Sequence, residues 1–335
     1  MADQVLLLNF GGPTNESEVE PFLRRLFEDP FIIRTRLPEF VRLWLARRIA
    51  RKRAPKANAE YAKIGYSPIN KMTEAQAMHL SRLLREKRPN ARVQVINRYT
   101  APFADEVVKS LDPAKDRLFL VTLYPHLCHS TTVSSLRDFD HAMMRRFNRL
   151  DLASTRVFSW WHHPRYLDLT FASLRASLET VLNDAGDDQV TVVFSAHGLP
   201  KRYCERGDPY VTEIFAHAQA LSQRGEAWLA QYYGGRYLKR TSWQVTFQSR
   251  VGPVEWMRPY TDEMLVQLGK ERGGRLIIVP ISFTSDHIET LYEMDHTYRD
   301  LALKAGFRQV ARVKPANDDP ELALCLAELL LQHGL

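Results

Sequence analysis

Acidic and imidazole side chains are concentrated in one short segment near the end of the sequence. The segment contains Asp286, His287, Glu289, Glu293 and His296. Imidazole has a pKa near neutrality and therefore exchanges protons readily at physiological pH. Two carboxylates four residues apart on a helix repel each other, which raises their affinity for protons. The segment is a candidate for proton transfer, although a solvated helix start with acidic residues near its positive end would have the same composition.

The residues before this segment indicate how it is positioned. Residues 276–279 form a short apolar run that is typical of a strand buried on both faces, and a proline ends the run. Helical spacing begins after Asp286, so Glu289, Glu293 and His296, at i, i+4 and i+7, are expected to share one helix face. The segment then lies at the carboxyl end of a strand, where open α/β sheets bind their ligands.

Apolar runs of strand length alternate with helical patterns along the whole chain. Strands are predicted at residues 5–9, 93–99, 118–123, 155–159, 190–195, 242–247, 276–279 and 309–313. Helices are predicted at residues 16–27, 73–88, 132–149, 167–183, 260–271 and 321–333. This alternation indicates parallel sheets covered on both faces. We therefore expect an α/β fold of two similar doubly wound, Rossmann-like domains with a cleft between them.

The length of the chain also fits two domains. The 335 residues suit two α/β units rather than one small domain. There is no run of 18 consecutive apolar residues, so no membrane span is expected. The first predicted strand begins almost at the initiator methionine and leaves no room for a leader sequence, so we expect a cytoplasmic protein.

The cysteines exclude several kinds of site. Cys128, Cys204 and Cys325 are odd in number and far apart, which argues against a disulfide framework and against a structural zinc site. An iron–sulfur cluster usually needs four cysteines, so no [2Fe-2S] cluster is expected.

The net charge of +7 comes from one region of the sequence. Residues 40–59 hold seven basic residues and no acidic one. Removing these seven from the 46 basic residues leaves 39, which equals the number of acidic residues. Because the excess is local, we expect no nucleic-acid partner.

The same region combines positive charge with apolar residues at near-helical spacing. The apolar positions are Leu37, Phe40, Val41, Trp44, Leu45 and Ile49. An amphipathic helix of this kind can lie on an anionic membrane surface, which would place the protein peripherally on the inner face of the cell membrane. The alternative is a helix packed on its own domain with solvated arginines.

Several segments together resemble the ferrochelatase family over almost the full chain. They are PISFTSDHIETLYEMD (280–295), SAHGLP (195–200), GDPY (207–210), QSRVGPVEW (248–256), LLNFGGP (7–13) and FLRRLFEDPFIIR (22–34). The resemblance implies an enzyme that inserts ferrous iron into protoporphyrin IX and releases two protons, as a late step of haem synthesis. It also implies two chelatase-type domains, residues 1–160 with a pocket lip at 31–70 and residues 161–318, and a helix at 319–335 that packs across them.

The resemblance assigns roles to the candidate catalytic residues. His197 is the lead residue, as the base that removes pyrrole protons and as a ligand of iron. Glu289 either takes protons or helps to position iron across the macrocycle from His197. Glu289 and Glu293 are expected to relay protons or iron toward solvent, with His287 and Asp286 beside them. The alternative for Glu293 is a plain solvated acidic face.

A porphyrin needs a broad apolar slot and a few polar anchors. By resemblance, the porphyrin-binding residues are Phe10, Arg53, Lys56, Tyr61, Ser67, Arg98, Trp161, Tyr210, Ser249, Trp256 and Phe283. The aromatic members are expected to form the walls, and Arg53, Lys56, Arg98 and Ser249 to hold the propionates. Each aromatic residue could instead belong to a domain core.

Two other functions fit the same resemblance. One is a porphyrin- or haem-binding protein that delivers its ligand without metallating it, and the retention of His197 and Glu289 argues against it. The other is a chelatase for coproporphyrin, a cobalt-accepting corrin precursor or another metal. A hydrolase is poorly supported, because the chain has no G-x-S-x-G motif. We expect no cofactor beyond the ferrous substrate, and a monomer or weak homodimer.

Overall fold

The computed structural model describes residues 2–35, 37–112, 114–148, 154–252 and 254–335. The chain divides into two compact units, residues 1–160 with 317–335, and residues 161–316. Each unit contains one four-stranded sheet in which all strands are parallel. Helices connect the strands in both units. The predicted α/β fold with two doubly wound sheets is confirmed.

The sheet of the first unit contains the first four strands of the chain. They are β1 (Ala2–Asn9), β2 (Ala91–Asn97), β3 (Asp116–Thr122) and β4 (Ser154–Val157). Their order in the sheet is β2-β1-β3-β4. Val5 pairs with Val93 on one side and with Phe119 on the other, and residues 5–8 of β1 are fully buried. An apolar run without alternation is what a strand covered on both faces requires.

Five α-helices lie between the strands of the first unit in the sequence. They are α1 (Glu16–Glu28), α2 (Glu39–Lys63), α3 (Ile69–Lys87), α4 (Ala104–Val107) and α5 (Ser134–Phe147). A 3₁₀-helix at Val108–Ser110 continues α4, and a π-helix at His129–Val133 precedes α5. Phe139 and Met143 of α5 pack with Leu6, Leu8 and Leu120 of the sheet in one buried cluster.

The second unit repeats this arrangement. Its strands are β5 (Val190–His197), β6 (Thr241–Gln248), β7 (Gly274–Val279) and β8 (Phe307–Arg312). Their order is β6-β5-β7-β8. His197 is the register partner of Gln248, and Ile278 is the partner of Arg312. The carboxyl edge of this sheet therefore brings together side chains from all four strands.

The remaining helices complete both units. They are α6 (Pro164–Asn183), α7 (Lys201–Cys204), α8 (Tyr210–Tyr233), α9 (Gly235–Leu238), α10 (Thr261–Glu271), α11 (Arg299–Ala305) and α12 (Pro320–Gln332). A ten-residue π-helix at Glu289–Tyr298 leads into α11. Helix α12 belongs to the first unit, where it packs against α3.

All eight strands occur where the sequence predicts them, with ends that differ by a few residues. The predicted helix at residues 132–149 is in fact a π-helix followed by α5, which ends at Phe147; Arg149 lies outside the described residues. The predicted helix after Asp286 is also wrong in type, because its first ten residues are π-helical. A π-helix closes its hydrogen bonds over five residues rather than four, so each turn holds more residues.

The basic segment lies in α2, and two of its aromatic side chains are exposed. Phe40 is 75% exposed and Trp44 is 60% exposed, whereas the buried positions of α2 are Ala46, Ala50 and Tyr61. Within the described ranges, no helix is both long enough and apolar enough to cross a membrane.

Candidate active site

His197, the last residue of β5, contacts the first residue of the π-helix at Glu289–Tyr298. His197 Nδ1 lies 2.8 Å from Glu289 Oε2. The His197 side chain is 42% exposed and that of Glu289 is 17% exposed. The sheet edge therefore joins an accessible imidazole to a sheltered carboxylate from positions 92 residues apart in the sequence.

Glu289 has further hydrogen-bonding neighbours on both of its oxygens. Gln248 Nε2 donates to Glu289 Oε2 over 2.9 Å, and Ser249 Oγ lies 3.4 Å from the same oxygen. His287 Nε2 lies 3.6 Å from Glu289 Oε1. Donors directed at a carboxylate favour its ionised form, so this environment holds Glu289 as an anion in a fixed orientation.

The His197–Glu289 pair shifts the proton affinity of both residues. Burial alone lowers the pKa of His197, but the charge and hydrogen bond of Glu289 outweigh it and raise that pKa above its usual value. Burial likewise raises the pKa of Glu289, but the charge and hydrogen bond of His197 and the hydrogen bond of His287 bring it well below its ordinary range. The pair therefore stabilises an imidazolium next to a carboxylate, which makes His197 a stronger base than an isolated histidine.

Glu293 is the second carboxylate of the site. Ser249 Oγ donates to Glu293 Oε2 over 2.7 Å, so this hydroxyl group lies between Glu293 and Glu289. Burial and the charge of Glu289 raise the pKa of Glu293 to about 7. Glu293 can thus gain or lose a proton near neutral pH, as a relay group must. Ser249 has a φ of 60°, a left-handed conformation that costs a non-glycine residue energy.

The structure places Ser249 differently from the sequence prediction. The prediction assigns this hydroxyl group to a porphyrin propionate, whereas it bonds to the two carboxylates of the acidic site. A hydroxyl group with that orientation has its proton committed, so we assign Ser249 to the acidic site.

A buried polar chain behind Glu289 was not predicted from the sequence. Thr261 Oγ1 donates to Thr246 Oγ1 over 2.8 Å and lies 3.1 Å from Ser195 Oγ. Ser195 Oγ donates to Gln248 Oε1 over 2.7 Å, which directs the Gln248 amide nitrogen at Glu289. Ser195, Thr246 and Thr261 are fully buried. The available signal is the presence of hydroxyl residues inside strands that are otherwise apolar.

The backbone of His197 is held by two hydroxyl groups. Tyr210 O–H donates to the His197 carbonyl over 3.1 Å and lies 2.7 Å from Ser282 Oγ. The His197 N–H donates to Ser282 Oγ over 3.2 Å. Tyr210 is predicted as a pocket wall, but it is only 7% exposed. Its hydroxyl group positions the His197 loop, and Ser282 is a further residue that the sequence reasoning missed.

Trp256 is packed directly against the residue that follows His197. A side chain at Gly198 would meet the Gln248 carbonyl oxygen at 2.5 Å and the Trp256 ring at 3.1 Å. Trp256 Nε1 donates to the Val251 carbonyl over 3.1 Å. Glycine at this position therefore lets the indole approach the His197 loop. Pro253, in the same sequence motif, lies outside the described residues.

Asp286 and His287 occupy different environments although they are adjacent. Asp286 is bound by Arg312 over 2.9 Å and is 8% exposed, so it is less suited to the predicted relay than Glu293 is. The His287 ring packs edge-on against Phe283 with a centroid distance of 4.4 Å. Phe283 thus supports His287, which is itself beside Glu289.

α-Helical spacing predicts that His296 shares a face with Glu289, and this prediction is wrong. It is exposed and its ring lies 5.9 Å from that of Tyr292. The wider turn of the π-helix explains the difference, because seven residues no longer complete two turns.

Trp161 and Phe283 border the same interior region of the second unit. Trp161 is tilted against His217 with ring centroids 5.6 Å apart. His217 and Phe283 line one small cavity. Burial and the charge of Arg224 lower the pKa of His217 to about 3, so this imidazole is neutral and belongs to the core.

Besides three cations, the predicted porphyrin-binding residues of the first unit are Phe10, Tyr61 and Ser67. The Phe10 ring packs edge-on against Tyr99 at 4.5 Å and against Phe22 at 6.0 Å. Tyr61 packs against Phe22 at 6.4 Å and is 6% exposed, and Ser67 is 7% exposed. Phe10 is half-buried and is the most accessible member of this cluster.

The predicted propionate cations differ in their availability. Arg98 is held by Asp29 over 3.1 Å and by Asp138 over 3.4 Å, and its side chain is 18% exposed. A guanidinium group bound by two carboxylates is a poor anchor for a propionate, so the geometry argues against that role for Arg98. Arg53 and Lys56 on α2 are both exposed.

A closed metal site is not seen in the part of the chain that the structure describes, where no three His, Cys, Asp or Glu side chains are arranged to hold an ion. His197 and Glu289 together offer one nitrogen and one carboxylate. Imidazole nitrogen and carboxylate oxygen are both donors that bind first-row divalent metals. Cys128, Cys204 and Cys325 are not joined in disulfides.

Comparison with known proteins gives one consistent family. The family model of ferrochelatase matches residues 2–334. A ferrochelatase of Synechocystis sp. is 39% identical over 331 residues, which cover 98% of this chain and 81% of that protein. A ferrochelatase of Synechococcus sp. strain JA-3-3Ab is 38% identical over 334 residues, which cover 99% of this chain and 93% of that protein. The solved structure of CbiX, the terminal enzyme of sirohaem biosynthesis in denitrifying bacteria, matches with a TM-score of 0.52 and 14% identity over 99% of both chains, which shows a shared fold.

Proposed function

Because this chain belongs to the ferrochelatase family, whose substrates are a porphyrin and a metal ion, we propose that it inserts ferrous iron into protoporphyrin IX. The reaction gives protohaem and releases two protons. The observation that carries the proposal is the 2.8 Å contact between the accessible His197 imidazole and the Glu289 carboxylate. This pair supplies a base of raised proton affinity at the edge of the second sheet.

His197 is the base that removes a pyrrole proton. The neutral imidazole takes the proton, and the charge of Glu289 stabilises the resulting imidazolium. The imidazolium then passes its Nδ1 proton to Glu289 Oε2, which it contacts. Ser249, whose hydroxyl group lies between the two carboxylates, accepts that proton from Glu289 and gives its own to Glu293, so Glu289 is ionised again. The pKa of about 7 at Glu293 allows it to release the proton to solvent and to repeat the cycle for the second proton.

His197 and Glu289 are also the groups that meet the ferrous substrate. Imidazole nitrogen and carboxylate oxygen both bind ferrous iron, and binding requires that the pair first lose its proton. Proton removal and metal entry therefore compete for the same atoms. Glu293 and His287 lie next to this pair, and their carboxylate and imidazole groups can attract an ion on its way to it.

Candidate groups for binding the porphyrin are present in each unit. Trp256, adjacent to Gly198, supports the proposal of an apolar wall next to His197. Phe10 is the aromatic candidate from the first unit, and Arg53 and Lys56 are its exposed cations for the propionates. Arg98 and Tyr210 act indirectly, through Asp29 and through the His197 backbone respectively.

One assay tests the function. Purified protein is mixed anaerobically with ferrous iron and protoporphyrin IX, and the appearance of haem absorbance is followed. Coproporphyrin III is offered in a parallel reaction, and cobalt replaces iron in a third. Catalysed metallation of protoporphyrin by iron is the expected result. Tight porphyrin binding without metallation, or a strong preference for coproporphyrin, would replace the proposal with one of those two functions.

The surface of α2 supports a second proposal, that the protein binds an anionic membrane surface peripherally. Phe40 and Trp44 are largely exposed, and Leu37 is 45% exposed. Arg48 lies 5.7 Å from the centroid of Trp44, so a cation flanks one of the exposed rings. An amphipathic surface of this composition suits the boundary between head groups and acyl chains.

A further inference from the structure

We infer that Arg312 is a positioning residue, which fixes the π-helix so that Glu289 and Glu293 meet at Ser249. The inference rests on the proposed function, since it concerns the orientation of those two carboxylates. Arg312 is the last residue of β8 and touches neither of them directly. It acts through two aspartates, one before Glu289 and one after Glu293 in the sequence.

The Arg312 guanidinium joins two segments. Its Nε and Nη2 atoms donate to the two oxygens of Asp295 over 2.7 and 2.9 Å. Its Nη1 donates to Asp286 over 2.9 Å. Asp286 lies three residues before Glu289, and Asp295 lies two residues after Glu293. One side chain therefore ties the segment before the π-helix to the second half of that helix.

The position of Arg312 makes this tie rigid. It is the register partner of Ile278, which is 1% exposed in the central part of the sheet. The Arg312 side chain is itself only 10% exposed. Its planar fork matches the Asp295 carboxylate with two parallel hydrogen bonds, a geometry that lysine cannot reproduce.

Stability alone is a weak reason for such a group. A sheltered ion cluster loses about as much hydration energy as its attraction returns, and apolar residues of similar volume often serve equally well. Burial lowers the pKa of Arg312, but the hydrogen bond to Asp295 and the charge of Asp286 outweigh it, so the guanidinium remains charged. What the cluster provides is a fixed distance between two points of the chain.

The π-helix needs such a fixed distance. π-Helical hydrogen bonding is rare and usually limited to a single turn, whereas this segment extends over ten residues. Its first turn is anchored locally, because Thr290 Oγ1 bonds to the N–H and the carbonyl of His287. Asp295 supplies the second anchor. Without it, relaxation to α-helical hydrogen bonding would rotate Glu293 relative to Glu289.

The test compares Arg312→Gln and Arg312→Lys with a matched control, Arg275→Gln. Arg275 lies at the opposite end of β7, where it pairs with Asp188 over 3.2 Å, and its side chain is 14% exposed. Both ion pairs thus involve an arginine of the same sheet with similar burial. For each variant, kcat and KM for iron insertion, the Kd of metal-free protoporphyrin IX by fluorescence quenching, and amide hydrogen exchange of residues 286–298 are measured.

Arg312→Gln is expected to lower kcat by about 10- to 100-fold, the range found when a group that orients a ligand is removed. The Kd for protoporphyrin should remain near the wild-type value, and amides 290–298 should exchange faster. Arg312→Lys should recover part of kcat, and Arg275→Gln should change neither kcat nor exchange in the π-helix.

Two results would overturn the inference. One is an Arg312→Gln variant with wild-type kcat. The other is an equal loss of kcat in Arg275→Gln, which would mean that general destabilisation is the cause. Failure of the proposed function is recognised separately, because the wild-type protein would then not metallate protoporphyrin. The hydrogen-exchange comparison would still show whether Arg312 fixes the π-helix.

Discussion

Gln248 and His197 are register partners on neighbouring strands, and the side chains of both reach the same oxygen of Glu289. Gln248 Nε2 lies 2.9 Å and His197 Nδ1 lies 2.8 Å from Glu289 Oε2. One donor is a neutral amide and the other titrates. The amide can therefore hold the carboxylate in place while the imidazole gains and loses its proton.

Replacing His197 or Glu289 should separate chemistry from binding. His197→Ala is expected to abolish iron insertion, because the base is lost, and Glu289→Gln should do the same. The Kd of protoporphyrin should stay within about tenfold of wild type, since apolar contact and propionate anchors provide most of the binding energy. Fluorescence titration gives Kd, and haem absorbance gives kcat. Near-normal turnover of His197→Ala would disprove its role as the base.

Gln248 should influence the reaction through Glu289. Gln248→Met removes the amide donor at nearly constant volume, and we expect a lower kcat with little change in protoporphyrin Kd. Gln248→Glu places a second carboxylate against Glu289, which should raise the affinity of the pair for protons and move the acid limb of kcat/KM to higher pH.

Ser195→Ala is the graded comparison for Gln248. It removes the hydrogen bond that orients the Gln248 amide. It should therefore lower kcat as Gln248→Met does, but less, with a rise in the activation free energy on the order of 1 kcal/mol. If the pH profile of Gln248→Glu matched that of wild type, the orienting role of Gln248 would be refuted.

Glu293 makes stability depend on pH. Its pKa of about 7 in the folded protein exceeds the ordinary 4.5, so between these values the folded state binds more protons than the unfolded state. The free energy of unfolding must then fall as pH rises through this window, by up to about 3 kcal/mol. Glu293→Gln removes this loss and should be more stable than wild type at pH 8, with little difference at pH 4.

Denaturant midpoints at the two pH values measure this effect. Glu271→Gln is the control, since Glu271 is an exposed carboxylate at the end of α10. The control should shift neither midpoint. Equal stability of Glu293→Gln and wild type at pH 8 would show that the proton affinity of Glu293 is not raised.

The eight strands were predictable because a parallel strand covered on both faces is an uninterrupted apolar run, which few other elements share. The helix type after Asp286 was not predictable. An α-helix and a π-helix have the same composition, and the choice depends on contacts such as Arg312 to Asp295, which come from a distant strand. His296 was misplaced for that reason.

The contacts of individual site residues were equally difficult to predict. His197 and Glu289 could be found from the motifs that contain them, but Arg98 and Tyr210 looked like pocket residues because their partners are remote in sequence. Arg98 is bound by Asp29, and Tyr210 bonds to Ser282, which follows 72 residues later. Long-range hydrogen bonds leave no periodic pattern in the sequence.

The purified protein is predicted to lack an iron–sulfur cluster. Cys128 precedes the π-helix at His129–Val133, Cys204 ends α7 and Cys325 lies in α12. The sequence contains only these three cysteines, whereas a cluster usually requires four thiolates. Anaerobically purified protein is examined for visible absorption and for inorganic sulfide. Stoichiometric sulfide with iron would contradict the prediction, and His129, next to Cys128, would then be the first residue to test as a fourth ligand.

The α2 surface is predicted to bind anionic vesicles in a salt-sensitive manner. Binding should weaken as added salt shortens the Debye length from about 30 to about 8 Å, because the attraction of exposed cations is screened. Replacing Arg47, Arg48 and Arg51 together with Gln should reduce sedimentation with phosphatidylserine vesicles but leave activity on detergent-dispersed porphyrin unchanged. Replacing Arg53 and Lys56 should instead raise KM for the porphyrin.

A matched triple variant separates the α2 surface from net charge. Arg82, Arg85 and Lys87 are exposed on α3 of the same unit, and their replacement with Gln removes as many charges. This control should bind vesicles more strongly than the α2 triple variant does. Phe40→Ser with Trp44→Ser should weaken binding even at low salt, since the rings contribute apolar contact rather than charge. If the α2 triple variant sediments as wild type does, α2 is a solvated helix and the membrane proposal fails.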